Sequence, residues 1–373
     1  MFMYVSGYFI TKMTKFVLII LLSIYIEPAK SACKTGWFGI TCQYQCHCEQ
    51  DKCDINGGCY DETQCSKGWF GPSCQYVDLV LQADKMEPDY FHLKDNDEST
   101  CESTEAFRLS WLLNHDLTWI RIVYMNEADA NITLKFYYGQ KSVSYTSMFY
   151  NFYDSFIDIY LRMENLTNSV QFLFGKRTSI CDVRISGGRN MALKQTTWQI
   201  DTSTIGEYNS NNAVDGNRDP NVQSGSCSRT LTTKGHVFWN LVFNSAVDVY
   251  RFLIVNAATR REQLSNFCLT VYDKKTRKVN IRDESSQRGE FAYNVTVPTT
   301  RATKVTISIN NNYQLVLCEV EIFGDKACPN NYFGLDCERP CNCGQDEDWC
   351  MSATGACSKG CRTGYKGVDC NEG

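Results

Sequence analysis

Residues 318–324 read CEVEIFG, and residues 181–187 read CDVRISG. The two heptapeptides share Cys, Val, Ile and Gly at the same positions, and the alternate spacing of Val and Ile is that of a strand burying one face. The series upstream of each is also shared. Cys101 precedes LSWLLNHDLTWIRIV, and Cys227 precedes VFWNLVFNSAVDVYRFLIV. Each copy therefore runs from a cysteine through a Trp-bearing strand, a short turn and an apolar strand to Cys-x-Val-x-Ile-x-Gly. Val237/Trp239/Leu241/Phe243, Phe267/Leu269/Val271 and Val305/Ile307/Ile309 each repeat with period two. Helical periodicity is scarce. Short strands separated by Asn, Gly and Asp turns predict an all-β chain with two β-sandwiches in tandem.

The chain has 373 residues, enough for more than one domain, and a net charge of −5 that gives no footprint for nucleic acid. Lys12 and Lys15 precede the apolar run FVLIILLSIYI (16–26), and Ala29, Ser31 and Ala32 follow. That pattern reads as a signal peptide over 1–31, too short for a membrane span, with Met13 as an alternative start. No later stretch is long and apolar enough to span a bilayer. Asn131, Asn165 and Asn294 head N-glycosylation sequons. The expected location is secreted or extracellular, so the 21 cysteines are read as disulfides.

Eight cysteines lie in 33–74, eight in 328–370 and five between. The outer groups open with the same gaps: Cys33, Cys42, Cys46, Cys48 and Cys328, Cys337, Cys341, Cys343. Both close on related loops, SKGWFGPSC (66–74 with Cys65) and RTGYKGVDC (362–370 with Cys361). Segments this small need cross-links for stability. They resemble EGF-like modules of the laminin and scavenger-receptor type, over 32–75 and 327–373, and are expected to fold independently of the middle. Zinc is the rival reading, disfavoured by the spacing and by an oxidising compartment. Eight cysteines allow 105 pairings. The short-range pairs Cys33–Cys42, Cys65–Cys74, Cys328–Cys337 and Cys361–Cys370 are the expected ones. Cys101–Cys181 and Cys227–Cys318 would staple the sandwiches. Cys268 is left over and is read as a buried, inert thiol.

NMALKQTTWQ (190–199), NNAVDGN (211–217), Ser226-Cys227, the Trp239 strand and CEVEIFG together resemble the F-type lectin domain (fucolectin/tachylectin/pentraxin) over 189–326. Residues 76–188 resemble the same galactose-binding-like jelly-roll more distantly, as a degenerate copy. The resemblance implies one structural Ca²⁺, with ligand positions at Asn212, Asp215, Asn217, Ser226, Cys318 and Glu319. Two carboxylates plus carbonyls suit an ion that takes six to eight oxygens. In the first copy Thr100 and Asp182 fill two of these slots, AVDG is absent, and no calcium is expected. The rival reading of Asp215-Gly216 is a plain turn.

The family's sugar pocket uses one His and two Arg. Here Arg229 stands at the His position, Ala257 at the first Arg, and Gln263 or Leu264 at the second. The fucose site is therefore read as degenerate. Arg229, Arg260 and Arg261 form either a basic loop rim or a different pocket for an acidic group. The aromatic run FYYGQKSVSYTSMFYNFY (136–153) is read as core packing or a binding face. There is no H-E-x-x-H, G-x-S-x-G, P-loop or G-x-G-x-x-G, and the four histidines do not cluster, so no enzyme is expected. Three functions stay open. One is a recognition protein for a glycan or an extracellular protein. Another is an adhesive or structural ectodomain. The third is a truncated ectodomain of a scavenger-type or signalling receptor.

Overall fold

The computed structural model describes residues 33–60, 64–125, 131–201, 208–231, 235–284, 289–344, 349–367 and 369–373, so the signal peptide read over 1–31 lies outside the described residues. The fold is all-β. In the first half the main strands are β1 (Lys85–Glu87), β2 (Glu102–His115), β3 (Trp119–Tyr124), β4 (Ile132–Tyr138), β5 (Lys141–Val143), β6 (Tyr145–Phe152), β7 (Phe156–Met163) and β8 (Thr167–Ile185). In the second they are β9 (Thr196–Gln199), β10 (Val237–Val255), β11 (Cys268–Asp273), β12 (Thr276–Arg282), β13 (Ala292–Ile309) and β14 (Glu319–Lys326).

The two halves use one antiparallel pairing scheme. In the second half the first part of β10 pairs β9 and β13, and its later part pairs β13 and β14, with a register shift between Val242 and Val247. β11 lies between β13 and β12. In the first half β2 pairs β1 and β8, β3 pairs β7 and β8, and β4 pairs β8 and β5. Thus β2 and β3 do the work of the single strand β10. A bulge in a long strand lets it pass from one layer to the other, which is how a jelly-roll sandwich turns its corner. β6 is an addition of the first half, hydrogen-bonded along β7.

The repeat is legible at single residues. Asp78 Oδ1 accepts from the amides of Val80 (2.9 Å) and Ile185 (3.1 Å). Asn190 Oδ1 accepts from Ala192 (3.1 Å) and Ile322 (3.2 Å) in the same way. Ile185 and Ile322 are the same position of the two heptapeptides. The tryptophans are not so matched. Register pairs Phe107 with Phe172 where Trp239 pairs Ile307, so Phe107, not Trp111, is the counterpart of Trp239. Each copy has its Trp-bearing strand as expected, with Trp111 in β2 and Trp239 in β10, but LSWLL sits later in its strand than VFWNL. Separate apolar cores fill the sandwiches, one around Phe107, Phe172, Ile120 and Ile122, the other around Trp239, Phe252, Ile307 and Ile322.

The cysteine-rich ends share one connectivity. Cys33–Cys42, Cys46–Cys53, Cys48–Cys59 and Cys65–Cys74 repeat as Cys328–Cys337, Cys341–Cys350, Cys343–Cys357 and Cys361–Cys370. The close cysteine triplets within them are all disulfide sulfurs, which leaves no thiolate for zinc there. Cys101–Cys181 and Cys227–Cys318 close one sandwich each, with Cα atoms 3.8 Å apart in both. Cys268 is half-buried on β11, its thiol 3.1 Å from Asn280 Oδ1, because alternate β11 residues face away from the core.

The ends are not free beads. Phe70 from the first module, Tyr76 just after it, Trp119 and Tyr160 from the first sandwich, and Ala353 and Ala356 from the last module form one buried cluster. Tyr160 Oη meets Thr354 Oγ1 at 2.8 Å. Asp325, near the end of β14, accepts from Tyr76 Oη and Arg189 Nε, both at 2.9 Å, and Arg189 also donates to the Leu335 carbonyl at 2.6 Å. The expected independence of the modules is therefore replaced by a shared core. Phe149 of the aromatic run packs on Tyr160 and on Trp349 of the last module, and Phe136 is buried, while Tyr138, Tyr145 and Phe152 are exposed. Among the described residues no helix is long and apolar enough to cross a membrane. Asn131, Asn165 and Asn294 are exposed.

Candidate functional site

The chain between β9 and β10 is organised by a ladder of side-chain turns. Asp215, Asn217, Asp219 and Asn221 occupy every second position, and each Oδ1 accepts the amide two residues on, at 2.8, 3.1, 3.0 and 3.1 Å. Asp and Asn favour this geometry because their short side chains reach their own backbone. A 3₁₀ turn, Ser210–Val214, precedes the ladder, capped by Asn209, with Ala213 and Val214 buried in the core. Trp239 Nε1 holds the Ser210 carbonyl at 3.0 Å.

This loop closes on the start of β14. Asn212 Nδ2 donates to the carbonyls of Gly225 (2.8 Å) and Cys227 (3.3 Å). Ser226 Oγ donates to the carbonyls of Asp219 (2.6 Å) and Asn221 (3.1 Å). Cys227 is bonded to Cys318, and the next residue, Glu319, accepts the Gly216 amide on Oε1 at 3.2 Å. Direct contacts thus bring Asn212, Asp215, Asn217, Ser226, Cys318 and Glu319 to one corner of the sandwich.

Glu319 tests whether that corner suits a cation. It is fully buried, and its Oε2 has no hydrogen-bond partner among the described residues. Burial, then the charges of Glu321 and Asp215, push its pKa up to about 9. A bare buried carboxylate costs several kcal/mol unless it is paired or bound to a metal. The nearest guanidinium, Arg218, is bidentate on Glu321 instead. Two carboxylates beside backbone carbonyls form a hard oxygen set, which fits Ca²⁺.

The first sandwich supplies the contrast. Asp182 stands where Glu319 does, and Arg184 stands where Glu321 does. Arg184 Nε donates to Asp182 at 2.8 Å and its terminal nitrogen to Glu98 at 2.9 Å. Burial raises the Asp182 pKa to about 6 against this pairing. Thr100 is bonded to Asp95 and Asp97. One copy carries its own cation in the position where the other is left one short.

The arginines near the sugar positions sit in different settings. Arg229 lies over the Tyr208 ring at 3.9 Å, with Nε buried and without a partner among the described residues. Arg260 takes a left-handed φ of 57°, and Arg260 and Arg261 are exposed. Their loop is fixed by Asn256, whose Nδ2 holds the carbonyls of Arg261 and Glu290 at 2.9 Å, and by Asn311 on the carbonyls of Gln263 and Ser265. Ala257 is buried, so a longer side chain there would displace this packing.

The sequence matches no family model, and no curated protein matches it. Solved structures do match. A fucose-binding module of Streptococcus pneumoniae is 24% identical over 37% of this chain and 98% of its own, with a TM-score of 0.34. A fucolectin from striped bass (Morone saxatilis) serum is 18% identical over 67% of this chain and 98% of its own, with a TM-score of 0.33. A family 32 carbohydrate-binding module of Clostridium perfringens, solved with galactose, is 12% identical over 35% of this chain and 93% of its own, with a TM-score of 0.29.

Sequence reasoning missed the ladder residues Asp219 and Asn221 and the Arg218–Glu321 pair. The signal for the ladder was present, as Asx at alternate positions from 215 to 221. The pair has no such signal, since its members are joined only by the fold.

Proposed function

We propose that the protein is an extracellular recognition protein for glycans, built on a lectin-like sandwich (189–326) that is tied together by one structural Ca²⁺. Glu319 carries the reading, as a wholly buried carboxylate with an unpartnered oxygen beside Asp215. Asn212, Asp215, Asn217, Ser226, Cys318 and Glu319 would hold the ion, and its charge would offset the crowded carboxylates. The fucose positions are replaced, so fucose is not the expected ligand. The cysteine-rich units over 32–75 and 327–373 are read as EGF-like, and 76–188 as a second, metal-free sandwich. The signal peptide and sequons support export.

Calcium and glycan are tested together. A ligand that binds only the folded state stabilises it by RT ln(1 + [L]/Kd). Millimolar Ca²⁺ should raise the melting temperature of the secreted chain, and chelation should lower it. Asp215→Ala and Glu319→Gln should abolish the difference. A calcium-insensitive melt returns Asp215-Gly216 to a plain turn. A glycan array read with and without chelator tests recognition, and a fucose-dependent signal would show that the arginines have rebuilt the pocket. A second reading, an adhesive or structural ectodomain, is favoured by the core that the two modules share with the first sandwich. It predicts an array without signal and capture of an extracellular protein.

A further inference from the structure

A cavity of about 660 Å³ lies between the first cysteine-rich module, the second sandwich and Leu335-Asp336 of the last module. Small-molecule sites span about 300–1,000 Å³, so it is wide enough for more than one sugar ring. It is distinct from the arginine rim, since Arg229, Arg260 and Arg261 do not line it.

Its wall is made of carboxamides. Gln43, Gln45, Gln75, Gln195, Asn190 and Asn244 all line it. Gln75 and Asn190 are consumed by the fold, through Gln45 and Ser73 carbonyls and the Ile322 amide. The rest are spare. The side-chain amides of Gln45 and Asn244, and the Nε2 atoms of Gln43 and Gln195, make no hydrogen bond within the chain among the described residues. The Oε1 atoms of Gln43 and Gln195 accept only from Thr41 and Asn244. An amide offers both donor and acceptor and carries no charge.

The rest of the lining is aromatic, aliphatic or charged, and most of its charges are paired. The rings of His47 and Trp69 stack 3.4 Å apart in the wall, and burial lowers the His47 pKa to about 4, so that imidazole is neutral at physiological pH. Arg218 is paired with Glu321, Lys326 with Asp336, and Arg189 with Asp325. Lys194 donates to the Cys42 carbonyl at 2.6 Å and lies over Trp37. Aromatic surface with uncommitted amides and mostly paired charges suits a ligand with apolar ring faces and many hydroxyls.

We infer that this interdomain cleft binds a neutral oligosaccharide, with Gln45 and Asn244 as its principal polar contacts from the two sides. The inference rests on the glycan-recognition reading and adds its location. Because these two amides bond nothing within the chain, Gln45→Ala and Asn244→Ala should leave folding unchanged.

The full secreted chain, in calcium, is applied to an array of uncharged oligosaccharides. The expected result is binding to at least one of them, weakened tenfold or more in the Gln45→Ala/Asn244→Ala double variant at an unchanged melting temperature. Asn244→Trp, which fills the cleft by addition, should give the same loss and guards against a folding defect in the first variant. Glycan binding that survives both variants overturns the cleft while leaving glycan recognition standing. Loss in Arg260→Ala/Arg261→Ala with retention in the amide variants does the same and moves the ligand to the loop rim. A folded chain that binds no glycan removes both readings together.

Discussion

Asp78 and Asn190 perform one task with two chemistries, and pH separates them. Each oxygen holds two backbone amides, but burial pushes the Asp78 pKa from the ordinary aspartate range up to about 7. A carboxyl whose pKa is raised on folding binds protons more tightly folded than unfolded. Its contribution is complete below about pH 4 and is lost as pH rises to about 7. Asp182, raised to about 6, acts in the same direction. Asp78→Asn should therefore flatten, without abolishing, the fall in melting temperature between pH 5 and pH 8, and should stabilise the chain at the higher pH. Melts of both proteins in chelator check it; identical slopes would place the Asp78 pKa near its ordinary value. Such residues bound what the sequence could tell. The heptapeptides announced Ile185 and Ile322, yet nothing in the sequence announced that Asp78 and Asn190, over a hundred residues upstream in each copy, would hold them. The corner that joins Asp215 to Glu319 could be proposed from sequence because its residues fall in three short stretches, 211–217, Ser226-Cys227 and Cys318-Glu319. The cleft could not, because its amides come from three parts of the chain and only the packing brings them together.

Among the elements, the final glycines of the heptapeptides face different neighbours. A Cβ on Gly324 would stand 2.1 Å from the Asp248 carbonyl oxygen, where β14 passes β10. A Cβ on Gly187 would instead press on the Leu79 side chain at 2.8 Å, an atom that can move. Gly324→Ala should cost about 3 kcal/mol or more by prising two central strands apart, and Gly187→Ala about 1 kcal/mol. Chemical denaturation of the two variants checks the order; equal losses would mean that the β10–β14 contact relaxes freely. Strand content was the easiest part to read, because period-two burial in Val237–Phe243 and Val305–Ile309 follows side-chain type directly. The register was harder. A slip along the strand kept LSWLL and VFWNL looking alike while placing Phe107, not Trp111, at the position equivalent to Trp239.

For the molecule as a whole, Arg189 is the joint. It is buried, ion-paired with Asp325 and bonded to the last module through Leu335. Removing one member of a buried pair costs about 3–5 kcal/mol, because the other charge is left bare. Arg189→Ala should lower stability by that order and speed hydrogen exchange in residues 331–341. Destabilisation without faster exchange there would show that the Leu335 contact is incidental. Each module carries its own cysteine set, which read as separate beads. The sequence contained no sign of the shared cluster of Phe70, Trp119, Tyr160 and Ala356, since an aromatic on a strand is as ready to pack against a neighbouring module as within its own.

Leu335 of the last module also packs into the first module's cluster with Phe38 and Tyr44. The two modules are thus in contact across the sandwiches they flank. If the molecule were drawn out by these modules, tension would pass first through the small contact between them. The first sandwich would share that load through Trp119 and Tyr160, and the second would lie off the path until those contacts gave way. The chain would behave as a latch with slack behind it, yielding in two stages, with the lectin-like sandwich shielded during the first.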